Sequence, residues 1–298
     1  MRHLQSFFEN ESLLIQAISK ELASKDIAPF IIAIDEVGRG CVAGPVLSCV
    51  SFWMPKQLIL EFKFTEKTKT WLPFIDDSKK LTEKKRSSCF ELILKEYDLK
   101  FSTVPILKSN ALTPTSLFPS EKTLHLNSKD FINFKKENHG INTNEYECIA
   151  FSLGEASANE VDKYNIWNAV QMAAGRALLN LNKMIETEFS FLKKQWQSSI
   201  LLMDGKHFLK VPNEFKKNIQ ITVTQADGIF VSVGFSSILA KVYRDTLMIE
   251  QDPLFPEFGF SGHKGYGTPK HLSIIQKIGI SPLHRKSFLT NYCPETLF

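Results

Sequence analysis

Two adjacent carboxylates, Asp35 and Glu36, close the apolar run Ile31-Ile-Ala-Ile. Gly38-Arg39-Gly40 follows, and after Gly44-Pro45 a second apolar run begins at Val46. Acids at the end of a buried strand are costly unless something positive meets them there. Two more acids have similar addresses: Asp204 ends Ile200-Leu-Leu-Met, and Asp227 stands just before a long helical pattern. Hard divalent cations take oxygen ligands, magnesium typically through one or two carboxylates plus substrate phosphates. Two such ions roughly 3.5–4 Å apart can activate water and stabilise the leaving oxygen of a phosphodiester. Asp35, Glu36, Asp204 and Asp227 therefore form a candidate metal site. On spacing alone, four unrelated caps and surface acids remain the alternative.

The elements that must bring these acids together are readable in outline. Residues 31–53 give two strands, and the glycines at 38, 40 and 44 let the connection turn and lie close to a ligand. Residues 54–76 read as a loop with strand fragments. Thr82 can cap a helix with Glu83 in its first turn and Phe90, Ile93, Leu94 and Tyr97 on its inner face. Lys79, Lys80, Lys84, Lys85 and Arg86 crowd the start of that helix. Bases there oppose the helix dipole, so a nearby polyanion explains them better than helix stability does; a solvated charged face is the plainer reading. Residues 106–145 are rich in Ser, Thr, Asn, Lys and Pro without a clear period and read as an insertion. A strand over 146–156, a helix from Asn159 to about Leu181, and strands at 200–204 and 219–223 follow. A long helix then runs through Ile249. Thr268-Pro269 starts a last helix that Gly279 closes. Residues 1–29 read as an added segment, with an amphipathic helix from Ser12 to Lys25 packed on the body through Leu13, Leu14, Ile18 and Leu22. Alternating strands and helices argue for an α/β core of three layers, in which ligands meet the carboxyl ends of the strands.

The bulk numbers bound the function without choosing it. A chain of 298 residues, 43% hydrophobic and 23% charged, suits one large domain or two modest ones with a sizeable core. No apolar run approaches the roughly 20 residues that span a bilayer, and the first residues show no signal-peptide core. A cytoplasmic location is the expectation. Five widely spaced cysteines, Cys41, Cys49, Cys89, Cys148 and Cys293, with no Cys-x-x-Cys, read as free thiols. The net charge of +4 permits a nucleic-acid partner without arguing for one.

Asp35-Glu-Val-Gly-Arg-Gly with Ala43-Gly-Pro, and Asp77-Ser-Lys-Lys-Leu-Thr-Glu-Lys-Lys-Arg, resemble the signatures of the type 2 ribonucleases H, the ribonuclease HII family. Asn165-Ile, Met203-Asp-Gly, Ser237-Ile-Leu-Ala-Lys-Val-Tyr-Arg-Asp245, His263-Lys-Gly-Tyr-Gly-Thr and Ser281-Pro-Leu-His-Arg-Lys-Ser-Phe288 match in the family's order. The resemblance covers roughly residues 30–105 and 147–290. It implies a ribonuclease H-like three-layer fold with a mixed central sheet flanked by helices, plus a C-terminal helical extension. On that basis the expected division is an N-terminal helical extension at 1–29, a catalytic domain at 30–250 and a C-terminal extension and tail at 251–298. The implied activity is metal-dependent cleavage of RNA in RNA–DNA hybrids, and incision 5′ of single ribonucleotides in duplex DNA. The products would be a 3′-hydroxyl and a 5′-phosphate, and the cofactor Mg2+ or Mn2+.

Carried over by motif, Asp35, Glu36, Asp204 and Asp227 would be the catalytic, metal-binding carboxylates. Gly38, Arg39 and Gly40 would read the 2′-hydroxyl, and Tyr266 would lie against the sugar beside the scissile bond. The residue types suit this: glycine-freed backbone can approach a 2′-hydroxyl, an arginine fork suits phosphate, and a tyrosine ring offers a flat apolar surface. Lys79, Lys80, Lys84, Lys85, Lys241, Arg244, Lys264, Arg285 and Lys286 would track backbone phosphates, which positions a duplex without reading sequence. Plainer readings hold elsewhere. Asp245 suits a structural ion pair, His263 and His284 suit hydrogen bonding or phosphate contact, and His207 a surface position.

Lys206 stands where the family usually shows asparagine, and Gly228-Ile-Phe lacks a basic residue many relatives carry. The tail Pro294-Glu-Thr-Leu-Phe298 partly matches the short motifs a replication sliding clamp accepts, with a frayed terminus as the alternative. A monomer is the expectation. The competing functions are a ribonuclease HIII-like nuclease needing a run of ribonucleotides, and a non-catalytic hybrid-binding protein.

Overall fold

The computed structural model describes residues 2–21, 29–61, 70–72, 75, 81–108, 112–129 and 146–292. In chain order its helices are α1 (Arg2–Glu21), α2 (Lys56–Glu61), α3 (Glu83–Glu96), α4 (Ala158–Tyr164), α5 (Ile166–Glu188), α6 (Lys193–Gln197), α7 (Val231–Gln251), α8 (Phe260–His263) and α9 (Pro269–Ile278). The strands are β1 (Ile31–Val37), β2 (Val46–Pro55), β3 (Ile106–Leu107), β4 (Phe118–Pro119), β5 (Lys122–Leu126), β6 (Tyr146–Ala156), β7 (Ile200–Asp204), β8 (Lys210–Val211) and β9 (Ile219–Val223). Seven strands form one mixed sheet in the order β3-β6-β2-β1-β7-β9-β5, and β4 pairs with β8 apart from it. β2 runs antiparallel to β1 and β6, whereas β1, β7, β9 and β5 run parallel. No described helix is long and apolar enough to cross a membrane.

The two-residue alternation of β1 divides the core. Ile31 and Ala33 join Leu47, Cys49, Phe235, Ile238 and Leu239 on the face covered by α1, α3 and α7. Ile32 and Ile34 join Val50, Val170, Ala173 and Ala177 on the face covered by α5. A strand buried on both sides needs apolar residues at every position, which is why the run is continuous. The result is the helix–sheet–helix layering and C-terminal helices that the resemblance implied. A third cluster, Val42, Ala43, Met248, Phe258, Phe260, Ile275 and Leu289, ties the C-terminal elements to the loop after β1.

Several local expectations change. Residues 56–61 are helical rather than loop. Within 106–145, residues 122–126 form β5, an edge strand of the main sheet, because Leu124 and Leu126 alternate inward against the core. The helix expected from Asn159 is two helices, broken at Asn165, whose φ of 67° and ψ of 164° lie in a region that favours glycine. The Asn165 side chain accepts from the Asn168 amide and so caps α5. Helix α1 begins earlier than its periodicity suggested; Leu13, Leu14 and Ile18 are buried as expected, and Leu22 lies outside the described residues. Cys41, Cys49, Cys89 and Cys148 are free and buried; Cys293 lies outside the described residues.

The C-terminal elements enclose a directed chain of hydrogen bonds. The Ser281 amide donates to His284 Nδ1 at 2.9 Å, so His284 Nε2 carries the proton and donates to His271 Nε2 at 2.9 Å. His271 Nδ1–H then donates to the Tyr266 carbonyl at 2.8 Å. His263 accepts from the Gly265 amide and donates to the Phe258 carbonyl. His263 and His284 therefore do structural hydrogen bonding. Burial holds His271 and His284 neutral, lowering each from 6.5 to about 4.

Because the unfolded chain takes up protons that these two folded rings refuse, their contribution to stability is complete above about pH 6.5. It drains away as the pH falls toward about 4. Thermal unfolding across that window is expected to show a shallower acid loss in a His271→Gln/His284→Gln double variant than in the wild type. Parallel slopes would contradict the assignment.

Candidate active site

The sheet itself gathers the acids. β1 and β7 are parallel neighbours with Ile34 opposite Met203, so Asp35 and Asp204 take the next positions side by side. Asp204 pairs in turn with Val223 of β9, and four residues later Asp227 sits buried in the turn Ala226–Gly228 that leads into α7. The alternation that splits the core also splits the adjacent acids: Asp35 follows Ile31 and Ala33 toward α7, where it meets Ser237, and Glu36 follows Ile32 and Ile34 toward α5.

Charge confirms the proximity. Asp35 is 7% exposed, and its carboxyl is pushed well above the usual carboxylate range. Burial is the chief cause; repulsion from Glu36, Asp204 and Asp227 adds to it, and a hydrogen bond with Ser237 offsets part. All four predicted acids thus act on one point. Glu36 Oε1 is drawn 3.0 Å from Arg39 Nη1, and Asp204 Oδ1 accepts from the Ala226 amide at 2.8 Å. Among the described residues no three such side chains stand close enough together to form a finished ligand shell. The donor set is nevertheless all hard oxygen around a buried carboxyl crowded by like charge. That chemistry fits a divalent cation, which would replace repulsion with attraction.

A cavity of about 480 Å³ opens over the acids, lined by Asp35, Glu36, Asp204, the Gly38-Arg39-Gly40 backbone, Arg86, Ser237, Lys241 and Tyr266. A smaller cleft of about 130 Å³ lies on the other side of Glu36 and Arg39, lined also by Trp167, Lys206 and His207. The Arg39 guanidinium stands 5.7 Å from the Trp167 ring centre, and Lys241 Nζ stands 5.3 Å from that of Tyr266 while pairing with Asp245 at 2.8 Å. Asp245 is therefore the structural ion pair expected of it.

The glycine loop is held from behind. The amides of Val42 and Ala43 donate to the Gly265 carbonyl, the Gly44 amide to the Leu283 carbonyl, and the Arg285 amide to the Val42 carbonyl. Gly38 has φ of +90°, and a Cβ there would meet Arg244 and the Pro45 carbonyl at 2.8 Å, so only glycine fits. Gly40 is different: a Cβ would meet nothing within 4 Å.

Three expected phosphate contacts are reassigned. Arg285 is fully buried; its Nε donates to the Gly44 carbonyl at 3.0 Å and its Nη1 to the Arg39 carbonyl at 3.2 Å. Arg244 is also fully buried, donating to the carbonyls of Pro45, Ala43 and Lys264. A buried guanidinium bonded to backbone carbonyls, three for Arg244 and two for Arg285, shapes the loop and cannot reach a duplex. Lys264 is committed to the Ser261 carbonyl and lies 3.5 Å from Glu83, outside the cavity lining. Lys79, Lys80 and the tail 294–298 lie outside the described residues. Arg86, one of the bases for which a polyanion was expected, lines the cavity, whereas Ser237 and Trp167 were not picked out for roles by sequence reasoning. Ser237 stands ten residues after Asp227 and opens the matching motif at 237–245, the signal that could have found it.

The sequence profile of the family described as Ribonuclease HII matches residues 32–291. A ribonuclease HII of Clostridioides difficile (strain 630) is 30% identical over 262 residues, 88% of this chain and 71% of the relative. One of Desulfitobacterium hafniense (strain Y51) is 32% identical over 260 residues, 87% of this chain and 68% of the relative. Among solved structures, that of the PCNA:RNase HII complex from Archaeoglobus fulgidus is similar at 16% identity and a TM-score of 0.46, covering 86% of this chain and 94% of that chain.

Two outcomes follow from the geometry. Asp35→Asn removes the acid that its like-charged neighbours crowd, so without added cation its melting midpoint at pH 8 is expected above the wild type. Added Mn2+ should raise the wild-type midpoint and leave the variant unmoved. Gly38→Ala is expected to lower stability by more than about 1 kcal/mol, while Gly40→Ala should unfold like the wild type, both read by denaturant titration.

Proposed function

This chain belongs to the ribonuclease HII family, whose members are ribonuclease H-type nucleases, and we propose that it cuts the RNA strand of RNA–DNA hybrids and incises 5′ of single ribonucleotides embedded in duplex DNA. The observation that carries this reading is the convergence of Glu36, Asp204 and Asp227 on Asp35 beside a glycine-lined cavity with room for a nucleotide. Asp35, Glu36, Asp204 and Asp227 would hold Mg2+ or Mn2+. When bound, such ions lower the pKa of water and neutralise charge at phosphorus and the leaving oxygen.

The chain's own groups do the rest. Arg39, anchored by Glu36 and Trp167, offers its fork to a phosphate at the cavity rim. The open side of Gly40 lets a ribose come close enough for backbone groups to meet its 2′-hydroxyl, the group that tells RNA from DNA. Tyr266, 41% exposed and steadied by Lys241, supplies a flat wall for the neighbouring sugar. Lys241 and Arg86 line the cavity where a phosphate backbone would run, and the exposed Lys84 and Lys85 extend that basic edge. Water attacks phosphorus from the 5′ nucleotide's far side; the bond to O3′ breaks, O3′ takes a proton, and a 3′-hydroxyl and a 5′-phosphate result. From the Leu297-Phe298 pair alone, the tail is proposed to touch a replication clamp; a monomer is proposed from the family resemblance.

A duplex carrying one ribonucleotide is the deciding substrate. Cleavage 5′ of that residue with Mg2+ or Mn2+, and its loss in chelator or in Asp35→Asn with duplex binding retained, is the expected result. A single ribonucleotide left intact while a long hybrid is cut would favour the ribonuclease HIII-like mode. Binding without cleavage of either would leave only a hybrid-binding protein.

A further inference from the structure

Helix α1 lies before the matched region, which begins at residue 32, yet it reaches Ile229 and Ser232, just beyond the turn that carries Asp227. Leu13, Leu14 and Ile18 anchor it in the core on the α7 side of the sheet. On the same helix Asn10 and Glu11 are both buried, Glu11 completely. Glu11 Oε1 accepts from the Ser232 amide at 3.0 Å and from the Ser232 hydroxyl at 2.9 Å. Asn10 Nδ2 donates to the Ile229 carbonyl at 2.5 Å. These contacts are 219 and 221 residues apart in the chain, so they are tertiary by construction.

Their position is what gives them meaning. The residue before α7, Phe230, has no side-chain oxygen and makes no capping bond. The first amides of a helix have no partner within it, and a buried one left unpaired is costly. Glu11 supplies the missing acceptor to the second residue of α7. Its carboxylate also meets the positive end of the helix dipole. Asn10 takes the carbonyl of Ile229, two residues after Asp227. Between them the two side chains fix both ends of the segment 229–232, which hangs directly from the turn Ala226–Gly228. Burial pushes the Glu11 carboxyl up, and its hydrogen bonds with Ser232 offset part of this, leaving it at about 7, so the chain keeps this acid in the core at a cost that packing does not require.

We propose that Asn10 and Glu11 are positioning residues for the metal site: α1 caps α7 from outside and thereby fixes the turn that aims Asp227 at Asp35. The assignment rests on the reading of Asp227 as a metal ligand given above. The residues that line the cavity include none of α1, so its effect should fall on the cation and spare the substrate.

The test uses the full chain. Mn2+ binding is measured by isothermal titration calorimetry on the wild type, Glu11→Ala, Glu11→Gln and Asn10→Ala. Duplex binding is measured in chelator by fluorescence anisotropy. Glu11→Ala should bind Mn2+ about five- to tenfold more weakly, the scale set by losing one helix cap, with duplex affinity within about twofold of the wild type. Glu11→Gln, which keeps an acceptor oxygen, should recover most of the cation affinity. Wild-type Mn2+ affinity in folded Glu11→Ala overturns the proposal. If Glu11→Ala does not fold, Asn10→Ala decides by the same titration: weakened Mn2+ binding supports the proposal and unchanged binding overturns it. A wild type with no affinity for Mn2+ would remove the metal-site reading as well, which separates the two failures.

Discussion

Repulsion among like charges at the carboxyl ends of three strands is the constraint around which this molecule is built. Asp35, Asp204 and Asp227 come from neighbouring strands or the turn just beyond one, and Glu36 adds a fourth negative group beside the first. Such a cluster opposes folding unless other parts of the chain hold it. Here the holding is done by backbone register and by a few specific partners: Ser237 on Asp35, Arg39 on Glu36, the Ala226 amide on Asp204. The apolar strands that flank the acids supply the burial that outweighs the repulsion.

The loop after β1 shows how buried cations can build a surface without belonging to it. Arg244 and Arg285 reach the carbonyls of Arg39, Ala43, Gly44, Pro45 and Lys264 from below. Each guanidinium satisfies several backbone acceptors at once, which its planar fork of donors allows. The strand-end loop and the segment bearing Tyr266 thereby become one unit, and the histidine chain from Ser281 to the Tyr266 carbonyl braces that unit from the other side. The ring of Tyr266 is exposed, but the arginines and histidines that brace its backbone are buried.

Much of this was readable beforehand. The continuous apolar runs ending in Asp35 and Asp204 gave both the strands and the acids, because a strand buried on two faces leaves a period-free signature. The capped helices at Thr82 and Thr268 kept their boundaries, since a side-chain cap is a local interaction. What was missed is tertiary. An arginine in a basic motif looks the same whether it faces a phosphate or backbone carbonyls, so Arg244 and Arg285 were misread. Leu124 and Leu126 became strand only through pairing with β9. Asn165 breaks a helical pattern by adopting a backbone that no propensity scale anticipates. The contacts of Asn10 and Glu11 span over two hundred residues and leave no local trace.

The splitting of Asp35 and Glu36 to opposite faces of the sheet carries a consequence for how this chain can vary over time. The apolar positions of β1 can exchange Ile, Val and Leu with modest loss, because volume is shared with neighbours. Adding or deleting one residue between Ile31 and Asp35 is another matter: it would send each acid to the other's side and carry the hydrophobic sets with them. The stretch is therefore free to drift in composition but fixed in length.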